Sequence, residues 1–164
     1  MVVIHLAYTT IVNPPGAQSI LSHAQVWAGL ERKARVPQEF VPVVETCEIH
    51  SEKDNVITAT VIFKADSAVA HARTIREVCT LSPPCRLDYD MEDGSTATNI
   101  ISMGKGSTGD NELFLTFIFA WEHPQLVQGS DEAKEAEDQH KTIAAAAVYS
   151  TLQTIRNLVE KGQL

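Results

Sequence analysis

Residues 130–161 carry an uninterrupted helical periodicity, and any fold for this chain must offer a surface long enough to cover the apolar side of that segment. Ser130 or Asp131 stands as its cap, acids crowd the first turns where the positive end of the helix dipole favours them, and Gly162 finishes it. The apolar stripe passes through Ala136, His140, Ile143, Ala144, Ala147, Val148, Thr151, Leu152, Ile155, Leu158 and Val159. A helix of about 30 residues spans roughly 45 Å, enough to cross a whole twisted sheet.

The rest of the chain supplies that sheet. Residues 2–12 are rich in β-branched and aromatic types, and Asn13-Pro14-Pro15-Gly16 ends them. Ser22 caps a helix with Gln25 at the third position, a capping-box pattern, followed by Val26, Trp27, Leu30 and Ala34 at helical spacing. Pro37 stops it, and Pro37-Gln38-Glu39-Phe40 permits one more short turn. From Val43 to Glu122 the period becomes two, and turn signals at Lys53-Asp54-Asn55, Ala65-Asp66-Ser67, Pro83-Pro84, Asp93-Gly94 and Gly104 to Asn111 divide it into six short runs. In one run Leu87, Tyr89 and Met91 alternate with Asp88, Asp90 and Glu92, as when one sheet face meets the core and the other meets water. The expected fold is α+β, one domain over 1–164: a strongly curved antiparallel sheet of about seven strands, ordered β-α-α-β6-α, wrapped on the last helix.

A straight rod and a curved sheet diverge, and the alanines from Ala144 to Ala147 offer little side chain to fill the gap. An apolar pocket is expected there, walled by Trp27, Phe117, Phe119, Trp121, Ala144, Ala147 and Val148. In the competing account the large aromatics fill that space completely.

Charge and composition exclude several classes of partner. A formal net charge of −8 argues against nucleic acid, since that affinity rests on clustered cations releasing counterions. Arg32, Lys33 and Arg35 form the nearest basic cluster and read as cations at a helix C-terminus. No run of roughly 18 apolar residues, the length that marks a membrane span, occurs. The 3 cysteines, Cys47, Cys79 and Cys85, fit neither a disulfide framework nor a metal site, and the N-terminus lacks the pattern of a signal peptide, so a cytoplasmic protein without metal or other cofactor is expected.

The segments AYTTIVNPPG, AQVWAGLERKAR, TNIIS, LFLTFIFAWEHP and the terminal helix resemble the AtaL-like family of the SRPBCC superfamily, which includes the birch pollen allergen, START lipid-binding domains and aromatic polyketide cyclases. The match extends over nearly the whole chain. The resemblance implies a helix-grip fold, a deep pocket under the last helix and a setting in natural-product biosynthetic clusters; it transfers no catalytic residue set.

Candidates for chemistry come from the residues themselves. Arg76 and Glu77 adjoin in a strand, so one faces inward; Ile75, Cys79 and Leu81 share the parity of Glu77, and Val78 that of Arg76. A buried glutamate without a partner has its pKa raised and can act as acid or base. Asn99 offers an amide to a carbonyl or enolate oxygen, Tyr89 a phenolic hydroxyl, and His140, on the inward stripe of the last helix, an imidazole. Each has an ordinary alternative, as a core residue, an ion pair or a cross-strand bond. His123, before Pro124, and His71 read as loop residues, while His5 and His50 form no constellation. Gly104 to Gly109 formally matches a dinucleotide-binding glycine pattern, but a strand follows instead of a helix, so it reads as a hairpin loop.

The functional expectation is a hydrophobic small-molecule binder acting as a cofactor-independent cyclase or isomerase on a polyketide-like or terpenoid intermediate. The alternatives are a non-catalytic carrier of a hydrophobic ligand or lipid, and a protein-interaction module, which would have a filled pocket. A homodimer is left open.

Overall fold

The computed structural model describes residues 1–65, 74–106 and 111–164. The Asp66-Ser67 turn signal, His71 and positions 107–110 of the glycine loop lie outside the described residues. Strand β1 (Val2–Ile11) is followed by helix α1 (His23–Arg35) and a 3-10 turn (Pro37–Glu39). Strands β2 (Val44–Lys53), β3 (Val56–Phe63), β4 (Thr74–Ser82), β5 (Arg86–Met91), β6 (Thr96–Lys105) and β7 (Asn111–His123) precede helix α2 (Asp131–Glu160). The strands form one antiparallel sheet of 7 in the order β1-β7-β6-β5-β4-β3-β2, curved against the long C-terminal helix as in the helix-grip fold.

Local chemistry explains most of these boundaries. Ser22 caps α1: its hydroxyl accepts from the Gln25 amide at 3.2 Å, and its own amide donates to Gln25 Oε1 at 2.9 Å, closing the box. Between β2 and β3, Asp54 and Asn55 both have positive φ, 52° and 64°, the pair a tight hairpin requires. Gly94, at φ 88°, turns β5 into β6. Ser130 is the N-cap of α2 and accepts from the Ala133 amide, so the helix itself starts at Asp131.

The core lies between the concave sheet face and the two helices. Leu30, Leu87, Leu115, Phe117, Val148 and Ile155 are all buried, and each contributes roughly 1.5–3 kcal/mol by leaving water. Helix α2 packs chiefly on β1 and also touches β7. Its C-terminal half meets α1 at Gly29, where a Cβ would lie 2.4 Å from Ile155 Cγ1, so only glycine permits the crossing. Arg156 then ties α2 to the segment after β1 by donating to the carbonyls of Val12 and Ser19. Among the described residues no helix is long and apolar enough to cross a membrane.

Candidate functional site

Pleating aims residues of six strands, β2 to β7, at one space. In the register of β4 to β7, Cys79 pairs with Tyr89, Tyr89 with Ala97, Ala97 with Phe119, and Asn99 with Phe117, so these side chains share the concave face. The central turns of α2 contribute His140, Ile143 and Ala147, and α1 contributes Lys33. All of these except Cys79, together with Pro37, Val41, Val44, Val61, Phe63, Ile75, Glu77, Met91, Asp93, Ser95, Trp121 and Glu122, line a cavity of about 200 Å³. An apolar void of roughly 150 Å³ admits benzene, so this one accommodates a substituted ring. The aromatics line the space without filling it.

Lys33 reaches into this cavity from the last turn of α1. It stands at i+7 from Val26 and i+3 from Leu30, so helical geometry places its stem on the buried face. The residue as a whole keeps some exposure, but its Nζ donates to Asn99 Oδ1 at 3.0 Å and lies 4.2 Å from the centre of the Phe117 ring. Burial lowers its pKa to about 8, against the pull of the Glu77 charge. At pH 7 roughly a tenth of this amine is therefore neutral.

The groups around Lys33 respond to the same desolvation. Burial raises the Glu77 carboxyl, with Lys33 opposing the shift. Burial also holds the Tyr89 phenol well above its ordinary value, followed in size by the influence of Cys79 and Glu77. The Cys79 thiol is pushed up to about 12, again mainly by burial, and stays protonated at neutral pH. The Tyr89 hydroxyl is close enough to that thiol to interact with it, yet makes no well-formed hydrogen bond and stands as a buried donor without a partner. At the other end of the cavity Phe119, Trp121 and His140 stack with centroid separations of 4.4 and 4.1 Å, and His140 Nε2 lies 2.8 Å from His123 Nε2.

The structure thus sorts the sequence candidates. Glu77, Tyr89, Asn99, His140, Phe117, Phe119, Trp121 and Ala147 line the cavity. Arg76 does not: it is exposed on the outer face, because Ile75, Cys79 and Leu81 bury the opposite parity of β4 and carry Glu77 inward with them. Trp27 on α1 and Ala144 and Val148 on α2 are buried but do not line the cavity. His123 is no loop residue; it ends β7, buried against His140, on the parity of Phe119 and Trp121 that could have revealed it. Lys33, read from sequence as a helix-end cation, is the other residue missed. Among the described residues no cluster of His, Cys, Asp and Glu could hold a metal ion, and Cys47, Cys79 and Cys85 are free thiols.

Comparison with known proteins agrees with this architecture. A family model described as acetylaranotin biosynthesis cluster protein L matches residues 6–162. The acetylaranotin biosynthesis cluster protein L of Aspergillus terreus is 27% identical over 162 residues, covering 98% of this chain and 92% of that protein. Among solved structures, the Zhui aromatase/cyclase from Streptomyces sp. R1128 superposes with a TM-score of 0.61 at 18% identity, over 96% of both chains. The di-domain aromatase/cyclase StfQ from the steffimycin pathway gives 0.65 at 14% identity, over 98% of this chain and 51% of that one. At such identities these two establish the fold alone.

Proposed function

The chain belongs to the acetylaranotin biosynthesis cluster protein L family, and from that premise we propose that it is a cyclase-type enzyme of natural-product biosynthesis, holding a flexible, carbonyl-bearing apolar intermediate in one reactive conformer. The observation that carries this reading is the meeting of Lys33, Glu77, Tyr89 and Asn99 in one part of a cavity whose walls are mostly apolar. A carrier needs only the apolar walls. A buried amine and an unsatisfied phenol cost folding free energy, and groups with displaced pKa values cluster where chemistry uses them. The aromatase/cyclase names of the structural neighbours point the same way.

Ring closure between two carbonyl groups of one chain requires loss of an α-proton, stabilisation of the enolate and approach of the second carbonyl. Glu77 serves as base, its raised pKa bringing it closer to neutral pH. Tyr89 donates its unused O–H to the developing oxyanion; Asn99, with Oδ1 engaged by Lys33, has its amide N–H groups left for the same role. Phe117, Phe119 and Trp121 fold the chain and exclude water. The sequence is redox-neutral and calls for no cofactor.

The test supplies purified protein with short linear tricarbonyl compounds that close spontaneously to more than one ring product. The expected result is a shift toward one product, lost in Tyr89→Ala and Asn99→Ala while binding persists, and retained in the outward-facing control Arg76→Ala. An unchanged product ratio despite binding would mean a carrier and would overturn the catalytic reading.

A further inference from the structure

Resting on the cyclase reading, we propose that Lys33 is a catalytic nucleophile that captures a ketone or aldehyde carbonyl of the substrate as an imine. Its Nζ is at the cavity wall, and no carboxylate among the described residues pairs with it directly; its hydrogen-bond partner is the neutral oxygen of Asn99. An amide oxygen can only accept, so it holds one N–H of the amine and leaves the nitrogen lone pair directed elsewhere. An ion-paired lysine would be fixed in the ammonium form and would have no lone pair to offer.

The groups facing Nζ complete the chemistry. Glu77 and Cys79 come from β4, Tyr89 from β5, Asn99 from β6 and Phe117 from β7, while His140 of α2 lies beyond the Phe119 and Trp121 rings. Of the titratable neighbours only Glu77 can carry negative charge near neutral pH, since burial keeps the thiol and the phenol protonated. The lone pair forms the N–C bond as the carbonyl π bond opens, and the oxygen takes a proton from Tyr89 or protonated Glu77. The nitrogen then loses a proton to the conjugate base, the C–O bond breaks, and water leaves with a second proton to give the iminium. Loss of an α-proton to Glu77 yields an enamine whose carbon attacks the second carbonyl. Returning water hydrolyses the imine and restores the amine. No oxidant or reductant enters.

The imine is tested with a probe that needs no knowledge of the true substrate. Pentane-2,4-dione condenses with a neutral lysine amine, with loss of one water, to a conjugated enaminone that absorbs in the near ultraviolet and survives peptide mapping. At pH 7 the neutral fraction of Lys33 exceeds that of an ordinary lysine by on the order of a hundredfold, and lower basicity takes back part of this. Labelling at Lys33 is therefore expected on the order of tenfold faster than at exposed Lys53, Lys64, Lys134 or Lys141, and Lys33→Arg should lose the fast phase. Wild-type protein labelled only at the exposed lysines, or a fast phase that survives Lys33→Arg, overturns the proposal. Peptide mapping of the wild type alone decides between these outcomes even if the variant does not fold. Fast labelling at Lys33 with no effect on ring closure keeps the amine site and sinks the cyclase reading; ring closure without labelling at Lys33 does the reverse.

Discussion

At Lys33 the energetic consequence of burial has a sign that can be measured. Its folded pKa, about 8, lies below the ordinary lysine value of 10.5, so above pH 8 the unfolded chain binds the extra proton and stability rises with pH. The gain is about 1 kcal/mol between pH 7.5 and 9, and chemical denaturation of wild type against Lys33→Met isolates it, because the variant should show no such rise. Beyond pH 9 the comparison loses its clarity: the half-buried Cys47 and buried Cys79 thiols, raised to about 11 and about 12, destabilise the fold as unfolded thiols ionise first. Tyr89 supplies a second test. Removing its unpaired hydroxyl in Tyr89→Phe should leave stability unchanged or raise it by up to about 1 kcal/mol, while the product selectivity falls; a stability loss larger than that in denaturation would mean the hydroxyl has a structural partner. Neither role was fully legible in the sequence. Helical spacing put Lys33 in angular register with Val26 and Leu30, but its position among basic neighbours in a last turn gave an equally physical account at the surface. For Arg76 and Glu77 the alternation specified that one side chain points in, and only the sheet's actual concave side decided for Glu77.

The elements themselves were read from local chemistry, and they hold where that chemistry is local. The capping box at Ser22 and Gln25, the paired turn residues Asp54 and Asn55 and the period-two run from Leu87 to Met91 each determine backbone geometry within a few residues. What they do not encode is the distance between elements, and the crossing of α1 over α2 shows why. That crossing depends on the missing side chain of Gly29, which lets Ile155, itself fully buried, fill the space at the contact. Gly29→Ala would place a Cβ 2.4 Å from Ile155 Cγ1, and a β-branched side chain held in the core has few rotamers to escape into. The substitution should destabilise by about 1–3 kcal/mol through overpacking, despite alanine's better helix propensity. Adding Ile155→Ala should cost less in the Gly29→Ala background than in wild type, a coupling that a double-mutant cycle in denaturant would read; strict additivity would refute the contact.

On the scale of the whole molecule, function depends on a mismatch of shapes, a straight rod of 30 residues against a sheet of 7 strands that bends away from it. The sequence predicts that mismatch from element order, yet it does not tell which alanines face the gap, because the rotation of α2 about its axis follows from its seat on β1. Ala144 turns into the core at 2% exposure, whereas Ala147, one turn on, lines the cavity. The same substitution at the two positions should therefore have opposite consequences. Ala144→Leu forces a side chain into filled space and should lose about 1–3 kcal/mol. Ala147→Leu enters a void of about 200 Å³, where its added methyl groups gain apolar contacts, so its thermal midpoint should stay level or rise. The same change should weaken the binding of benzene, measured by titration calorimetry, since the guest and the new side chain compete for one volume. Equal destabilisation at both positions, or undiminished benzene affinity in Ala147→Leu, would mean that the space beneath α2 is not open to a ligand, and the chemistry assigned to Lys33 and Glu77 would have no place to occur.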